Sequence, residues 1–234
     1  MGHDGHEGNQ HTKDTKEYPQ VKNFFLHIIE DLIRNISGGL GTRLRSAYYK
    51  RRLGTCGKKV IIDTGVFLEN PGHIRLGDNV WIDKNCVLVA GAVQSAVNTR
   101  LVSNTVNVHE GEIRIGSNSH VGIGTVIQGH GGVSISEYFT SSAHCRIYSY
   151  SNDYRLSQKG TMLSGNSNDL YYIMSPVEIG RNVWLGLNVS VIGATIGADV
   201  FVMPHTVVFK PITENSVVGG NPAAIIKPRF GSSS

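Results

Sequence analysis

Apolar positions follow two different periods along the chain. Phe25, Ile28, Ile29, Leu32, Ile33 and Ile36 recur at helical spacing with Glu30, Asp31 and Arg34 between them, which predicts an amphipathic helix. Ser37-Gly38-Gly39 interrupts it, and Leu40 to Leu53 predicts a second, basic helix with Leu44, Tyr48 and Leu53 on one side. From Lys59 a six-residue period takes over, in which an aliphatic residue is followed by a small or acidic one. One tract runs Leu76-Gly77-Asp78-Asn79-Val80-Trp81 and on through Ile82 to Leu88. A second runs from Ile115 through Val121 to Ile127, slips by two residues to Ile135, and continues through Ser141 to Ile147. A third links Ile179, Leu185, Val191, Ile196, Val202 and Val208, with one interval of five between Val191 and Ile196.

Each unit reads as a short strand and a turn: the aliphatic residue points into a shared core, and Gly or Asn permits the tight backbone at a corner. No single unit can bury its apolar face, so only a stacked array of coils, paired in parallel, is stable. The expected organisation is a polar tail over 1–20, a helical segment over 21–57, coils over 58–229 broken by an excursion near 150–177, and a short tail over 230–234. The first tail is almost devoid of aliphatic side chains, and its His3, His6 and His11 are too weakly pre-organised to imply a metal site.

Composition narrows the function classes. Of 234 residues 40% are hydrophobic and only 17% charged, with 28 Gly, which favours a glycine-punctuated β protein over Lys/Glu-rich bundles. Cys56, Cys86 and Cys145 are an odd number without C-x-x-C spacing, so neither a disulfide framework nor a zinc knuckle is indicated and a reducing compartment fits best. No run approaches the ~18 apolar residues of a membrane span, and no secretory signal is visible; the expected location is the cytoplasm, including the inner face of the membrane. Within the net charge of +4, Arg43, Arg45, Lys50, Arg51, Arg52, Lys58 and Lys59 fall in one stretch. A solvated face is the plain reading; a phosphate-bearing ligand and weak membrane-surface contact through residues 21–59 are the others. Nucleic acid is excluded as a partner, because no motif or aromatic stacking set accompanies the patch.

Ile179-Gly180-Arg181-Asn182-Val183-Trp184-Leu185-Gly186-Leu187-Asn188-Val189-Ser190, then Ile196-Gly197-Ala198-Asp199-Val200-Phe201-Val202 and the terminal Asn215-Ser216-Val217-Val218-Gly219-Gly220-Asn221-Pro222-Ala223, resemble the hexapeptide-repeat acyltransferases. Within that group the chain is most similar to sugar O-acetyltransferases of surface-polysaccharide pathways, including those of colanic acid biosynthesis. The resemblance implies a left-handed parallel β-helix preceded by helices, acetyl-CoA as co-substrate with no metal, a sugar or polysaccharide-precursor acceptor, and a homotrimer with active sites between adjacent copies.

A neutral sugar hydroxyl is a poor nucleophile, so such a site needs a base for its proton and donors for the oxyanion. In the family a histidine is the base, in a segment similar to Tyr-Ser-His-Asn-His-Asp-Tyr. Here the segment is Tyr148-Ser149-Tyr150-Ser151-Asn152-Asp153-Tyr154, and the resemblance places Asn152 where the base belongs. An amide can orient a hydroxyl but cannot take its proton near neutral pH. Three explanations stand: a catalytically impaired CoA- and sugar-binding pseudoenzyme, a base relocated to glycine-flanked His130, or an amino-sugar acceptor that needs less activation. Asp153 reads either as a group that orients a base or sugar hydroxyl, or as a solvated loop aspartate, and His144 as a packed or surface residue. For the donor, the resemblance implies Trp184 and Gly186 beside the pantetheine, Asn221 in the terminal element, and Lys210, Lys227 and Arg229 near the phosphates. The same architecture serves zinc carbonic anhydrases, but a His-x-x-x-x-His pair similar to theirs is missing.

Overall fold

A computed structural model describes residues 22–93, 99–101, 108–153 and 171–231. His3, His6 and His11, the side chain of Phe25, and most of the expected excursion, Tyr154 included, lie outside the described residues.

The six-residue period becomes a three-sided coil. Strands pass in turn through three sheets: Thr55–Cys56 in sheet A, Ile61–Ile62 in sheet B, Phe67–Glu69 in sheet C, then Ile74–Leu76 back in sheet A. Successive turns pair in parallel, as Cys56 with Leu76 and Leu76 with Ile115. Sheets A and C hold six strands each and sheet B eight. Side chains alternate across a strand, and in sheet C the inward row Leu68, Leu88, Ile127, Ile147, Val191 and Val208 is in register from turn to turn and almost wholly buried. Each such burial contributes about 1.5–3 kcal/mol, so the stacked rows rather than any single turn hold the fold.

Two edges of this prism are tight. The A-to-B edge turns through Asn79, Asn118, Tyr138, Asn182, Asp199 and Asn215, with φ between 50° and 60°. Asn suits that left-handed conformation, and its amide also links turns: Asn79 Nδ2 donates to Asn118 Oδ1 at 2.9 Å and Asn182 Nδ2 to Asp199 Oδ1 at 2.7 Å. Asn85, Gly124, exposed His144, Asn188 and His205 do the same at the B-to-C edge. The C-to-A edge is irregular. The slip after Ile127 is the turn Gly129-His130-Gly131-Gly132, and the chain leaves the prism twice, between Gly91 and Gly111 and between Ser149 and Pro176. The two departures meet: Tyr150–Asn152 pairs antiparallel with Tyr172–Met174, which pairs parallel with Thr99–Leu101.

Helix α1 (Lys22–Arg34) and helix α2 (Gly38–Tyr49) precede the coils. α2 stops at Tyr49, short of the expected Leu53, and the first strand begins at Thr55, inside the expected helical segment. Its buried residues are Gly41, Arg45 and Tyr49, whereas Leu44 is 40% exposed. Arg45, expected on the basic surface, is wholly buried and donates to the carbonyls of Ile33 at 2.9 Å, Ile36 at 2.7 Å and Ile62 at 3.0 Å. The last carbonyls of a helix have no intrahelical partner, and the guanidinium's several donors satisfy them where a leucine could not. Burial lowers the Arg45 pKa, with the Asp63 charge opposing. In α1, Glu30 is buried and accepts the Tyr49 hydroxyl at 2.7 Å, while Ile28, Ile29 and Leu32 are exposed.

At the far end Ala224–Pro228 folds back antiparallel on Ser216–Gly219, after a cis Asn221–Pro222 peptide. Among the described residues no helix is long and apolar enough to cross a membrane.

Candidate active site

The C-to-A edge gathers the acid–base side chains. His130 Nδ1 lies 2.7 Å from the Gly91 carbonyl oxygen. In the neutral ring that nitrogen carries the proton and donates it, leaving the lone pair on Nε2. The ring meets Tyr150 edge-on, with centroids 5.7 Å apart, and Tyr150 stacks on Tyr172 at 5.2 Å. The flanking glycines are demanded by space: a Cβ on Gly131 would lie 2.2 Å from the Ser149 carbonyl oxygen, and one on Gly132, at φ +90°, 2.5 Å from that of His109. The roots of both excursions thus fix this histidine.

Asn152 is exposed, pairs with Tyr172, and follows Tyr150 by two residues, so it faces the same side of the strand. Asp153 is only 1% exposed, and its N–H donates to the Tyr171 carbonyl at 2.7 Å. That burial departs from the solvated-loop reading.

The donor candidates are dispersed. Trp184, 46% exposed, stands in an outward row of sheet B with Phe201, Val217 and Lys227. Its ring is 5.1 Å from Phe201, and its Nε1 donates to Ser142 Oγ at 3.3 Å. Gly186 is buried where a Cβ would lie 2.7 Å from Pro204 N, and Asn221 is exposed at the cis peptide. Lys210 follows strand Val207–Val208 of sheet C, Lys227 lies in sheet B, and Arg229 Nη1 donates to the carbonyls of Asn182 and Val200 beside the A-to-B edge. Lys210 therefore stands apart from Lys227 and Arg229, which lie two residues from each other at the end of the final strand.

One pair escapes the sequence reading. His120 stands in the same outward row of sheet B, between Trp81 and Thr140. Its ring lies 4.7 Å from that of Trp81, and its Nε2 is 3.5 Å from Oδ2 of buried Asp83. The available signal was register, since His120 holds the repeat position of Trp81 and Trp184. Burial pushes the Cys86 thiol up to about 12 and Cys145 to about 11, so neither is a ready nucleophile. Among the described residues no group of three His, Cys, Asp or Glu side chains is placed to hold a metal ion.

No protein-family model matches the chain. A Mycobacterium tuberculosis protein named as an acetyltransferase is 32% identical over 127 residues, which are 54% of this chain and 40% of that protein; the chain spans less than half of that relative's length. An Escherichia coli protein named as the colanic acid biosynthesis acetyltransferase WcaF is 27% identical over 175 residues, 74% of this chain and 68% of the relative. AntD, an N-acyltransferase from Bacillus cereus solved with dTDP and coenzyme A, matches with a TM-score of 0.64 at 22% identity, covering 80% of this chain and 89% of AntD. A hexapeptide-repeat acetyltransferase from Vibrio cholerae, solved with acetyl coenzyme A, matches with a TM-score of 0.53 at 23% identity, covering 88% and 85%. The fold is that of the hexapeptide-repeat acetyltransferases. In this hexapeptide-repeat prism sheet B and the C-to-A edge lie on opposite sides, so no single copy brings Trp184 to His130 or Asn152.

Proposed function

We propose that the chain is an acetyl-CoA-dependent acetyltransferase acting on a hydroxyl of a sugar or polysaccharide precursor, wound as a left-handed β-helix and working as a cytoplasmic homotrimer. The observation that carries this reading is His130: one ring nitrogen is committed to Gly91, the other is left to accept a proton, and the strand packed on the ring through Tyr150 also bears Asn152.

Acetyl-CoA supplies an acetyl group activated as a thioester. Exposed Trp184 with Phe201 beside it suits a pantetheine arm, and Lys227, exposed beyond buried Val217 in the same row, suits a phosphate, so the donor set fits the group. Because this row and the C-to-A edge are opposed in one copy, the site is completed where the edge of one copy meets sheet B of the next. There Lys210 and Asn152 come from the edge side, and Asn152 orients the acceptor hydroxyl. His130 Nε2 takes the hydroxyl proton as the oxygen attacks the thioester carbonyl, the Gly91 carbonyl holds Nδ1–H and steadies the imidazolium, and the Nε2 proton would then pass to the sulfur released as the C–S bond breaks, leaving the ester and the free thiol.

His130→Ala is expected to lower kcat/KM by about 10²–10⁴ with CoA affinity unchanged, and Asn152→His to raise it. Full turnover by His130→Ala removes this histidine from the role of base. Asn152 itself favours a second reading, a CoA- and sugar-binding pseudoenzyme, which intact CoA affinity without transfer to any of a panel of sugars would select.

A further inference from the structure

Sheet C presents an outward row of Phe67, Val87, Val126, Arg146, Ser190 and Val207, in register across adjacent turns. Arg146 is the one charged member of an otherwise apolar or small row. Its Nη1 is anchored on the His144 carbonyl at 3.0 Å, and among the described residues no carboxylate lies within ion-pair distance of it. Beside it opens a cavity of about 230 Å³ lined by Arg146, Tyr148, Ser151, Ser190 and Ile192. Tyr148 and Ile192, paired across the sheet, give an apolar wall; Ser151 and Ser190 give two hydroxyls. Ser151 belongs to the strand that carries Tyr150 and Asn152 but faces its other side, so the cavity and His130 flank the same strand.

Among the described residues, an apolar wall, a few neutral hydrogen-bonding groups and a single oriented cation describe a site for a polar ring bearing one negative charge. We propose that this cavity binds the carboxylate of an acidic sugar unit, of the uronic acid type, next to the unit acetylated at His130. The inference rests on the acetyltransferase reading and sharpens it to an anionic glycan acceptor. A carboxylate matches the planar guanidinium, whose remaining N–H groups can be shared between its two oxygens. Among the described residues, one arginine with two neutral hydroxyls leaves a dianionic phosphoryl group only half neutralised.

The test is calorimetric binding to the full chain at low salt, using methyl glucuronide, methyl glucoside and inorganic phosphate as probes. The glucuronide is expected to bind at least about tenfold more tightly than the glucoside, as a charge-assisted pair implies. Arg146→Ala and Arg146→Gln are expected to abolish that difference without moving the thermal midpoint, because the side chain is exposed. In turnover the same variants raise KM for an acidic acceptor about tenfold and leave kcat unchanged. Equal affinity for the two glycosides, a preference that survives in both variants, or Arg146-dependent phosphate binding tighter than glucuronide binding overturns the proposal. Arg146-dependent glucuronide affinity in a chain that transfers no acetyl group supports the subsite and places the failure in the activity reading.

Discussion

Cys86 and Cys145 point inward, each with Sγ 3.2 Å from a backbone oxygen, that of Gly122 and of Gly186 respectively. With pKa values pushed up to about 12 and about 11, both remain protonated in the native state well above the range where an unfolded thiol ionises. Alkylation at pH 8 followed by peptide mass spectrometry should therefore find half-buried Cys56 modified first, and the other two only after denaturation. The sign for stability follows from the protons bound: above about pH 8.5 the unfolded chain releases protons that the native state keeps, so stability falls as pH rises toward the native values. The denaturant midpoint at pH 10 should lie below that at pH 8. At this scale the sequence is partly legible. Glycines on both sides announced His130, but nothing local announces the carbonyl that fixes its tautomer, because Gly91 lies a full coil away. Arg45 read as surface charge for the same reason, its four carbonyl partners belonging to other elements.

Helix α2 is built around its buried arginine. A Cβ on Gly41 would lie 1.7 Å from the Ile36 carbonyl oxygen that Arg45 binds, so the helix approaches the end of α1 as closely as a glycine permits. Arg45→Met keeps the bulk and removes the donors, leaving buried carbonyls unsatisfied. It is expected to cost on the order of 3 kcal/mol, read as a drop in thermal midpoint, whereas Arg43→Met, on the exposed side, should cost almost nothing. An equal effect of the two would deny Arg45 this role. Helical spacing located α1 and α2, but in α2 it set Leu44 on the apolar side, whereas Arg45 and Tyr49 are buried and Leu44 is 40% exposed; in α1 Glu30 is buried against Tyr49, and Ile28, Ile29 and Leu32 are exposed in one copy. The coils were far more legible: a period of six with small residues at the corners fixes which side chains point inward, and only the irregular C-to-A edge breaks it.

The whole molecule separates its two sets of candidate residues by the width of the prism. If activity needs both, each copy contributes half a site to two neighbours, and a trimer is expected in sedimentation at micromolar concentration; a stable monomer would end that account. Subunit mixing is the stricter measurement. His130→Ala and Trp184→Ala chains, each deficient alone, should recover part of the activity when unfolded together and refolded, because some interfaces then join an intact edge to an intact sheet. No recovery would overturn the account of a site shared between copies.

The final strand has another consequence. A stack of parallel turns has no intrinsic length: its last coil offers the same unpaired backbone that every earlier coil offered to its successor, a template for end-to-end growth into fibres. Ala224–Pro228 reverses the chain direction over Ser216–Gly219 and presents Lys227 and Pro228 outward. A second molecule arriving with its first coil therefore meets a strand of the wrong polarity, a charge, and a residue with no N–H to donate. The hairpin works as a stop signal for polymerisation, and it does so at the lysine that ends the outward row running through Trp184.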